Sequence, residues 1–244
     1  MNETIDVLMS HMSIRKFTEQ QIEGDKLHQV IKAAQWTPTS SHFQAFTIIH
    51  IKDAQKREAM AEIAGGQKWV KDSPVFLVFC ADLYRAEKYW KDADKRIFSN
   101  QEMFIVATVD AALAAQKAYI AAESLGLGGV FVGGIRNNLG AVSELLKLPQ
   151  LVYPIFGMCL GYPAENPGQK PRLPIDVIYK IDQYDDQQDN ALVALYDREV
   201  KEYYLNRTNG KIQDTWSERC GGFMMEKTRA DVSGFIKEKG LNLI

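Results

Sequence analysis

The longest runs of hydrophobic residues fall at three places along the chain. Pro74–Ala81 and Val152–Gly161 are short and almost wholly apolar, a pattern that predicts strands covered on both faces. The stretch 104–122 is longer and rich in alanine, and its only formal charges are Asp110 and Lys117. Because apolar residues occur on every side of it, we expect a long buried central helix.

A membrane span is the competing interpretation of that helix. Polar interruptions at Asp110, Gln116, Lys117 and Glu123 leave it short of the roughly 20 predominantly apolar residues that a span requires. We therefore expect no membrane insertion.

Glycines crowd around the short apolar segment Val130–Val132 that follows the helix. Gly126 is expected to end the helix, since glycine tolerates the left-handed conformation common there. Glycines beside a strand mark places where the backbone bends or meets a flat group closely, and tight helix–strand packing is the alternative explanation. A dinucleotide-binding fingerprint is not supported, because Phe131 occupies the place of its third glycine and the order is helix then strand.

Weaker patterns predict the remaining elements. Amphipathic segments indicate helices, a β-branched segment indicates another strand, and a hydroxyl-rich loop precedes that strand. The predicted helices are 2–10, 24–35, 53–64, 138–147, 190–205 and 223–239, with a helical excursion over 82–100; the strand is 46–51 and the loop is 36–44. The last helix is expected to end near Gly240.

The composition is that of an ordinary globular protein. The chain has 244 residues, is 46% hydrophobic and carries a net charge of −2, which argues against broad electrostatic binding to nucleic acid or anionic membranes. Its three cysteines form no CxxC pair and its four histidines show no metal-ligand spacing, so we predict buried thiols and no metal site. The N-terminal residues lack the architecture of an export signal, and we expect a cytoplasmic protein.

Two clusters of polar and cationic residues are candidate anion sites. Around Ser13, the neighbouring residues His11 and Arg15 add an imidazole and a guanidinium to exposed backbone donors; a solvated helix end is the alternative. Lys170 and Arg172 stand in a segment with four prolines, which fix the backbone that carries them. The basic tail of the chain is either a solvated arm or a clamp for a second phosphate-bearing ligand.

Together these residues resemble the nitroreductase superfamily, in particular its NADPH-dependent, oxygen-insensitive nitroreductase and flavin reductase branch. The resemblance covers nearly the whole chain and rests on an ordered set of short motifs: His11–Arg15, Gly65–Gln67, Phe79–Asp82, Ala121–Gly129, Gly133–Asn137, Lys170–Pro174 and Arg207–Lys211. It implies an α+β fold, with a central sheet flanked by helices, in an intertwined homodimer that binds two FMN molecules at the subunit interface. It also implies one nitroreductase-like domain over 1–244, in which 183–244 is a C-terminal extension that embraces the core or the partner subunit.

The resemblance further implies which residues bind the flavin. His11, Ser13 and Arg15 would hold the FMN phosphate and ribityl end. Met12 lines the same turn, where the family usually has arginine, so this chain has one cation fewer there. Lys170 and Arg172 would bring positive charge to the phosphate or the pyrimidine edge, and cations there stabilise the negative charge that reduced flavin carries near N1.

The other implied flavin contacts come from a loop, one amide side chain and a strand end. A backbone N–H of the strand end would be directed at the flavin N5. Thr39, Ser40 and Ser41 would reach the flavin held mainly by the partner subunit, Gln67 would contact the isoalloxazine edge, and Phe131, Val132, Gly133 and Gly134 would run beside the ring.

The function implied is that of an NADPH oxidoreductase that alternates between donor and acceptor. Arg207, supported by Lys211, would grip the 2′-phosphate of NADPH, and Arg229 would overhang the open flavin face. Nitroaromatics, quinones, azo compounds or free flavin would accept the electrons, and no side-chain acid or base is nominated as catalytic. The alternative is a non-catalytic flavin- or nucleotide-binding redox sensor, which would need no clamp for a hydride donor.

Overall fold

The computed structural model describes residues 2–90, 94–226, 229 and 231–241. Helices and strands are interspersed along these residues rather than segregated. In chain order they are α1 (Glu3–Met9), α2 (Gly24–Gln35), β1 (Phe46–His50), α3 (Ala54–Ile63), α4 (Lys68–Asp72), β2 (Val75–Asp82), α5 (Tyr84–Tyr89), α6 (Gln101–Ser124), β3 (Gly128–Val132), α7 (Leu139–Leu146), β4 (Val152–Gly161), α8 (Ile175–Ile178), α9 (Asp189–Arg207), α10 (Trp216–Glu226) and α11 (Val232–Glu238).

The four strands form one antiparallel sheet in the order β1-β2-β4-β3. All eight residues of β2 are buried, as expected of an inner strand with helices over both of its faces. In the register Val75 pairs with Leu160, and Val130 pairs with Cys159. The predicted α+β architecture of a sheet flanked by helices is therefore confirmed.

The central helix α6 is buried along one side only. Its alanines pack on α2 and the sheet in a core cluster that also contains Tyr119. On another side Ile105, Val109 and Leu113 are each more than two-fifths exposed. These residues recur every four positions and so form one stripe. The expectation of burial all round is thus wrong for the single chain, because the described residues leave this stripe partly exposed.

The length and composition of α6 also satisfy the criteria for a membrane span. Its packing is that of a core helix, since its small-residue face lies against α2 and β2. The charged Asp110 within it is 1% exposed and accepts backbone hydrogen bonds.

The chain divides into two compact units, one formed by 1–167 with 229–244 and the other by 168–228. The predicted single helix over 223–239 is therefore wrong. In its place α10 belongs to the second unit, whereas α11 packs Phe235 and Ile236 into the core of the first. Residues 227, 228 and 230 of that prediction lie outside the described residues. The predicted end near Gly240 is confirmed, and this glycine has a φ of +80°.

The predicted excursion over 82–100 contains the short helix α5 and a 3₁₀ turn at Lys95–Phe98. Residues 91–93 of that segment lie outside the described residues.

Candidate functional site

The segment after α1 lies along β3, the strand at one edge of the sheet. The Ile14 N–H donates to the Gly129 carbonyl at 2.7 Å, and Ser13 pairs with Gly129 as an isolated bridge. A Cβ at Gly128 would lie 2.6 Å from Ile14 Cγ1, and one at Gly129 would lie 2.3 Å from the Cys159 carbonyl oxygen. For these two glycines the close neighbour is the protein's own chain, so tight packing explains their presence.

Backbone donors of this segment are largely occupied. The N–H groups of Arg15 and Lys16 both donate to Glu165 Oε1, at 2.8 and 3.1 Å, and that of Ile14 is used by β3. Within the predicted cradle of residues 11–15, the expectation of exposed backbone donors is therefore wrong at Ile14 and Arg15, because a strand and a carboxylate accept their hydrogen bonds.

The His11 side chain contacts the central helix α6. Its Nδ1 lies 2.7 Å from Glu123 Oε1 on α6, and its ring meets Tyr119 edge-on with centroids 5.2 Å apart. The Tyr119 hydroxyl donates to the Gly129 carbonyl, and burial raises its pKa well above the usual value. Since Nδ1 is used by Glu123, Nε2 is the imidazole nitrogen left for a ligand.

The Arg15 side chain lies beside an indole. Its guanidinium carbon is 5.6 Å from the centroid of the Trp69 ring, and its Nη1 donates weakly to the Ser13 carbonyl at 3.5 Å. Arg15 is exposed, whereas Met12 and Ser13 are half-buried. The four predicted residues 11, 12, 13 and 15 thus share one short segment packed along β3.

Aromatic rings gather where β3 ends. Phe131 stacks on Tyr119 with centroids 5.0 Å apart and meets Phe156 edge-on at 5.1 Å. Phe131 is 37% exposed, whereas its neighbour Val132 is buried. The strand end therefore offers one apolar ring face within a backbone rich in glycine.

Gly134 brings this strand end against the turn that precedes α4. A Cβ at Gly134 would lie 2.7 Å from the Ala64 carbonyl oxygen and 2.9 Å from Gln67 Nε2. A Cβ at Gly133 would lie 3.2 Å from Arg136 Nη2. The structure thus joins Gln67 to the predicted residues 131–134, although more than sixty residues separate them in the chain.

Two arginines lie close to the same turn. Arg136 Nη1 donates to the Ile155 carbonyl at 2.5 Å, and Arg229 Nε donates to Asn137 Oδ1 at 3.3 Å. Burial, and secondarily the charge of Arg229, lowers the pKa of Arg136. Arg229 therefore lies at the strand end.

The hydroxyl-rich loop is held by the central helix. Asp110 accepts hydrogen bonds from the backbone N–H groups of Ser40 at 3.1 Å and Ala45 at 3.0 Å. Thr39 Oγ1 accepts from the Gln44 N–H at 3.3 Å. Between these anchors Ser41, His42 and Gln44 have φ values of 47°, 59° and 53°, a left-handed conformation that costs energy for residues other than glycine.

The other predicted residues belong to the second unit. Arg172 Nη1 donates to the carbonyls of Lys170 at 2.9 Å and Pro171 at 3.4 Å. Arg207 Nη1 donates to the Tyr203 hydroxyl at 2.5 Å, and Lys211 is exposed in the turn after α9. Lys170 and Arg172 line a cavity of about 390 Å³ with aromatic walls.

Comparison with known proteins decides the family. Residues 8–162 match the family model "Nitroreductase family", and residues 170–244 match "Nitroreductase family, C-terminal domain". The chain belongs to the nitroreductase family. Of the candidate residues, those from His11 to Gly134 fall within the first match, and those from Lys170 to Arg229 fall within the second.

Nitroreductase relatives are similar to this chain along its whole length. It is 42% identical to the "FMN reductase (NADPH)" of Bacillus subtilis, covering 99% of both chains, and 42% identical to the "Oxygen-insensitive NADPH nitroreductase" of Salmonella typhimurium, covering 98% of both. Among solved structures it is similar to the NfrA1 nitroreductase from B. subtilis, with a TM-score of 0.95, 41% identity and coverage of 98% and 99%. It is also similar to the NADPH:FMN oxidoreductase from Vibrio harveyi complexed with NAD+, with a TM-score of 0.90, 36% identity and coverage of 98% and 99%.

Several residues that shape the candidate site are not among those predicted from the sequence. Glu123 and Tyr119 contact His11, Asp110 holds the hydroxyl-rich loop, and Arg136 lies beside Gly133. The indication for Asp110 and Glu123 in the sequence is their charge inside an otherwise apolar helix.

Proposed function

We propose that this nitroreductase-family chain is an FMN-dependent oxidoreductase. It takes a hydride from NADPH and then passes electrons to nitroaromatics, quinones, azo compounds or free flavin in a ping-pong cycle. The observation that carries the proposal is full-length similarity to relatives named as an FMN reductase (NADPH) and an oxygen-insensitive NADPH nitroreductase. Family membership favours this enzyme over a redox sensor.

The chemistry of the residues around β3 fits FMN. The flavin supplies the hydride-accepting centre when it is bound. His11 and Arg15 offer cationic or donor groups suited to a phosphate, with Ser13 and Met12 on the same segment. The half-exposed ring of Phe131 suits a flat aromatic ligand.

The remaining flavin contacts extend this arrangement. Gln67 and residues 132–134, which meet before α4, would border the ring. Lys170 and Arg172 would add positive charge near the phosphate or pyrimidine edge. We assign no catalytic acid or base, because hydride transfer to a flavin needs none from the protein.

We also propose a homodimer. The exposed stripe of Ile105, Val109 and Leu113 on α6 is an apolar surface of the kind that a second copy covers. Residues Thr39–Ser41, held by Asp110 on the same helix, would then reach the flavin held mainly by the partner subunit. In this assembly 1–244 would act as one nitroreductase-like domain whose extension, 183–244, embraces the core or the partner, and we propose that it works in the cytoplasm.

NADPH would be recognised by the basic residues of the tail. Arg207, at the end of α9, would hold the 2′-phosphate with support from Lys211, because a guanidinium fork suits a phosphate dianion. Arg229 would face the acceptor side of the flavin. Its contact with Asn137 beside the strand end supports that assignment.

An anaerobic reduction experiment tests the proposal. The purified protein, loaded with FMN, is expected to lose its flavin absorbance rapidly with NADPH and slowly with NADH. Steady-state oxidation of NADPH in the presence of a quinone then separates an enzyme from a sensor. A protein that takes up no FMN would contradict the proposal, and one that binds FMN but shows no turnover would be a sensor.

The assignment of Arg207 has a matched control on the same helix. Arg207→Gln is expected to raise the KM for NADPH about tenfold while leaving the KM for NADH unchanged, since only NADPH carries the 2′-phosphate. Arg198→Gln, which removes another exposed cation of α9, should change neither. If Arg207→Gln raised both KM values equally, the assignment of Arg207 to the 2′-phosphate would be contradicted, whereas the proposed oxidoreductase activity would stand.

A further inference from the structure

The second unit contains a cavity whose walls are aromatic. α9 contributes Tyr196 and Tyr204 to it, and α10 contributes Trp216. The Tyr196 hydroxyl donates to the Pro171 carbonyl at 3.2 Å, and its ring lies 6.0 Å from that of Trp216. Tyr196 thereby ties the proline-rich segment and α10 to α9, so all three walls of the cavity are fixed to one helix.

The cavity is also cationic. Arg219 and Lys170 both approach the ring of Tyr204, with distances of 4.6 Å and 5.6 Å to its centroid. Arg172 is the third basic residue of the lining. Among the described residues no carboxylate lines the cavity, although Asp214 pairs with Arg219 from outside it at 3.0 Å.

These properties define the ligand. A volume of about 390 Å³ is at the lower end for small-molecule sites and suits one or two fused rings with an attached acidic group. Aromatic walls favour a flat ring through stacking. Two cations on one tyrosine, without a lining carboxylate, favour a negative group beside that ring.

We propose that this cavity is a binding site for a planar aromatic anion, separate from the open face of the flavin. The ring would lie among Tyr204 and Trp216, and the acidic group would meet Arg219. Lys170 and Arg172 also line the cavity but belong to the proposed flavin site, whereas Arg219 and Trp216 do not. Those two residues therefore test the cavity independently of FMN binding.

The anion has two possible sources. Arg207 donates to the Tyr203 hydroxyl, and Tyr203 lines the cavity, so the adenosine phosphate end of a pyridine nucleotide is one source. A free aromatic acid is the other. A competition experiment with adenosine 2′,5′-bisphosphate distinguishes them. If this compound displaces a bound aromatic acid, the natural ligand is the nucleotide end. If the aromatic acid still binds in its presence, the natural ligand is a free aromatic acid.

The test uses the full-length protein loaded with FMN and two probes of nearly equal shape. Calorimetric titration is expected to show one site per chain for 2-naphthoate, and about tenfold weaker binding of the neutral 2-naphthamide. Arg219→Gln should weaken 2-naphthoate binding about tenfold by removing one charged partner. Arg198→Gln, a change of the same kind outside the lining, should leave it unchanged.

Two optical measurements locate the probe. Binding in the cavity should quench the fluorescence of Trp216, and this quenching should be lost in Trp216→Phe. The wavelength of the flavin absorption band should not shift. The proposal is overturned if 2-naphthoate does not bind, if the Arg219→Gln protein binds it with parental affinity, or if its binding shifts the flavin absorption band. The FMN content of the Arg219 and Trp216 variants reports separately on the proposed function.

Discussion

Replacing Asp110 by asparagine should release the hydroxyl-rich loop while preserving the shape of the side chain. The carboxylate is 1% exposed and uses both oxygens, one for the Ser40 N–H and one for the Ala45 N–H. An asparagine can accept only one of these hydrogen bonds, because its amide nitrogen would face the other N–H donor to donor.

The size of the effect follows from these two hydrogen bonds. A hydrogen bond to a charged group contributes about 1.5–3 kcal/mol, and a backbone N–H left buried without a partner costs a similar amount. A neutral amide is less costly to bury than a carboxylate, which offsets part of the loss. We therefore expect Asp110→Asn to lower the free energy of unfolding by about 2 kcal/mol, or the thermal midpoint by about 4–8 °C for a chain of this size.

Thermal unfolding followed by circular dichroism, at one fixed protein concentration, measures this change. Asp53→Asn is the matched control, since Asp53 caps α3 by accepting from the Lys56 N–H at 2.8 Å. Asparagine caps helices as well as aspartate does, so this control should differ from the parent by less than about 0.5 kcal/mol. If Asp110→Asn were as stable as the control, Asp110 would not be what holds the loop.

Three further changes test other parts of the site. Gly134→Ala should cost about 1–3 kcal/mol of stability in thermal unfolding, because its Cβ would lie 2.7 Å from a main-chain oxygen, whereas Gly24→Ala meets nothing within 4 Å and should cost none. Glu123→Met should weaken FMN binding about tenfold in a fluorescence titration, because His11 loses the partner that orients it, whereas Glu123→Gln retains an acceptor and most of the affinity. Iodoacetamide at about pH 8 should modify Cys220 alone in the folded protein, as seen by mass spectrometry, because burial raises the pKa of the other two thiols to about 12.

Each of these three predictions has an outcome that would contradict it. A Gly134→Ala protein of parental stability would mean that the turn before α4 yields to a methyl group. Equal loss of FMN affinity in the methionine and glutamine variants of Glu123 would show that its charge matters, and not the orientation of the imidazole. Labelling of Cys80 or Cys159 before unfolding would show that their strands open in the folded protein.

Elements whose determinants are local could be predicted from the sequence. The helix Gly24–Gln35 and the strand Val152–Gly161 have the bounds that their patterns predict, because amphipathic or continuous hydrophobic character is legible within a few residues. The prediction of a single helix over 223–239 fails because its determinant is not local. The helical pattern runs on there, but the chain passes from one compact unit to the other, and periodicity does not reveal which core a segment joins.

Contacts at the candidate site were largely beyond prediction from one sequence. His11 and Glu123 are 112 positions apart, and Asp110 and Ser40 are 70 positions apart. Each pair forms only because α6 passes both the segment along β3 and the hydroxyl-rich loop. Family resemblance supplied the candidate residues, but it did not indicate that Glu165 occupies the backbone donors of Arg15 and Lys16.

The return of the chain to its first unit has a consequence for biosynthesis. Phe235, Ile236 and Leu241 are buried with Ala81 and Tyr153 in one core cluster, and the Leu151 N–H donates to the Lys239 carbonyl at 2.9 Å. A ribosome must therefore release the chain through Leu241 before this cluster can close. Fragments from translation that stops before residue 229 would lack that part of the core, and they would be substrates for quality-control proteases rather than partly active enzymes.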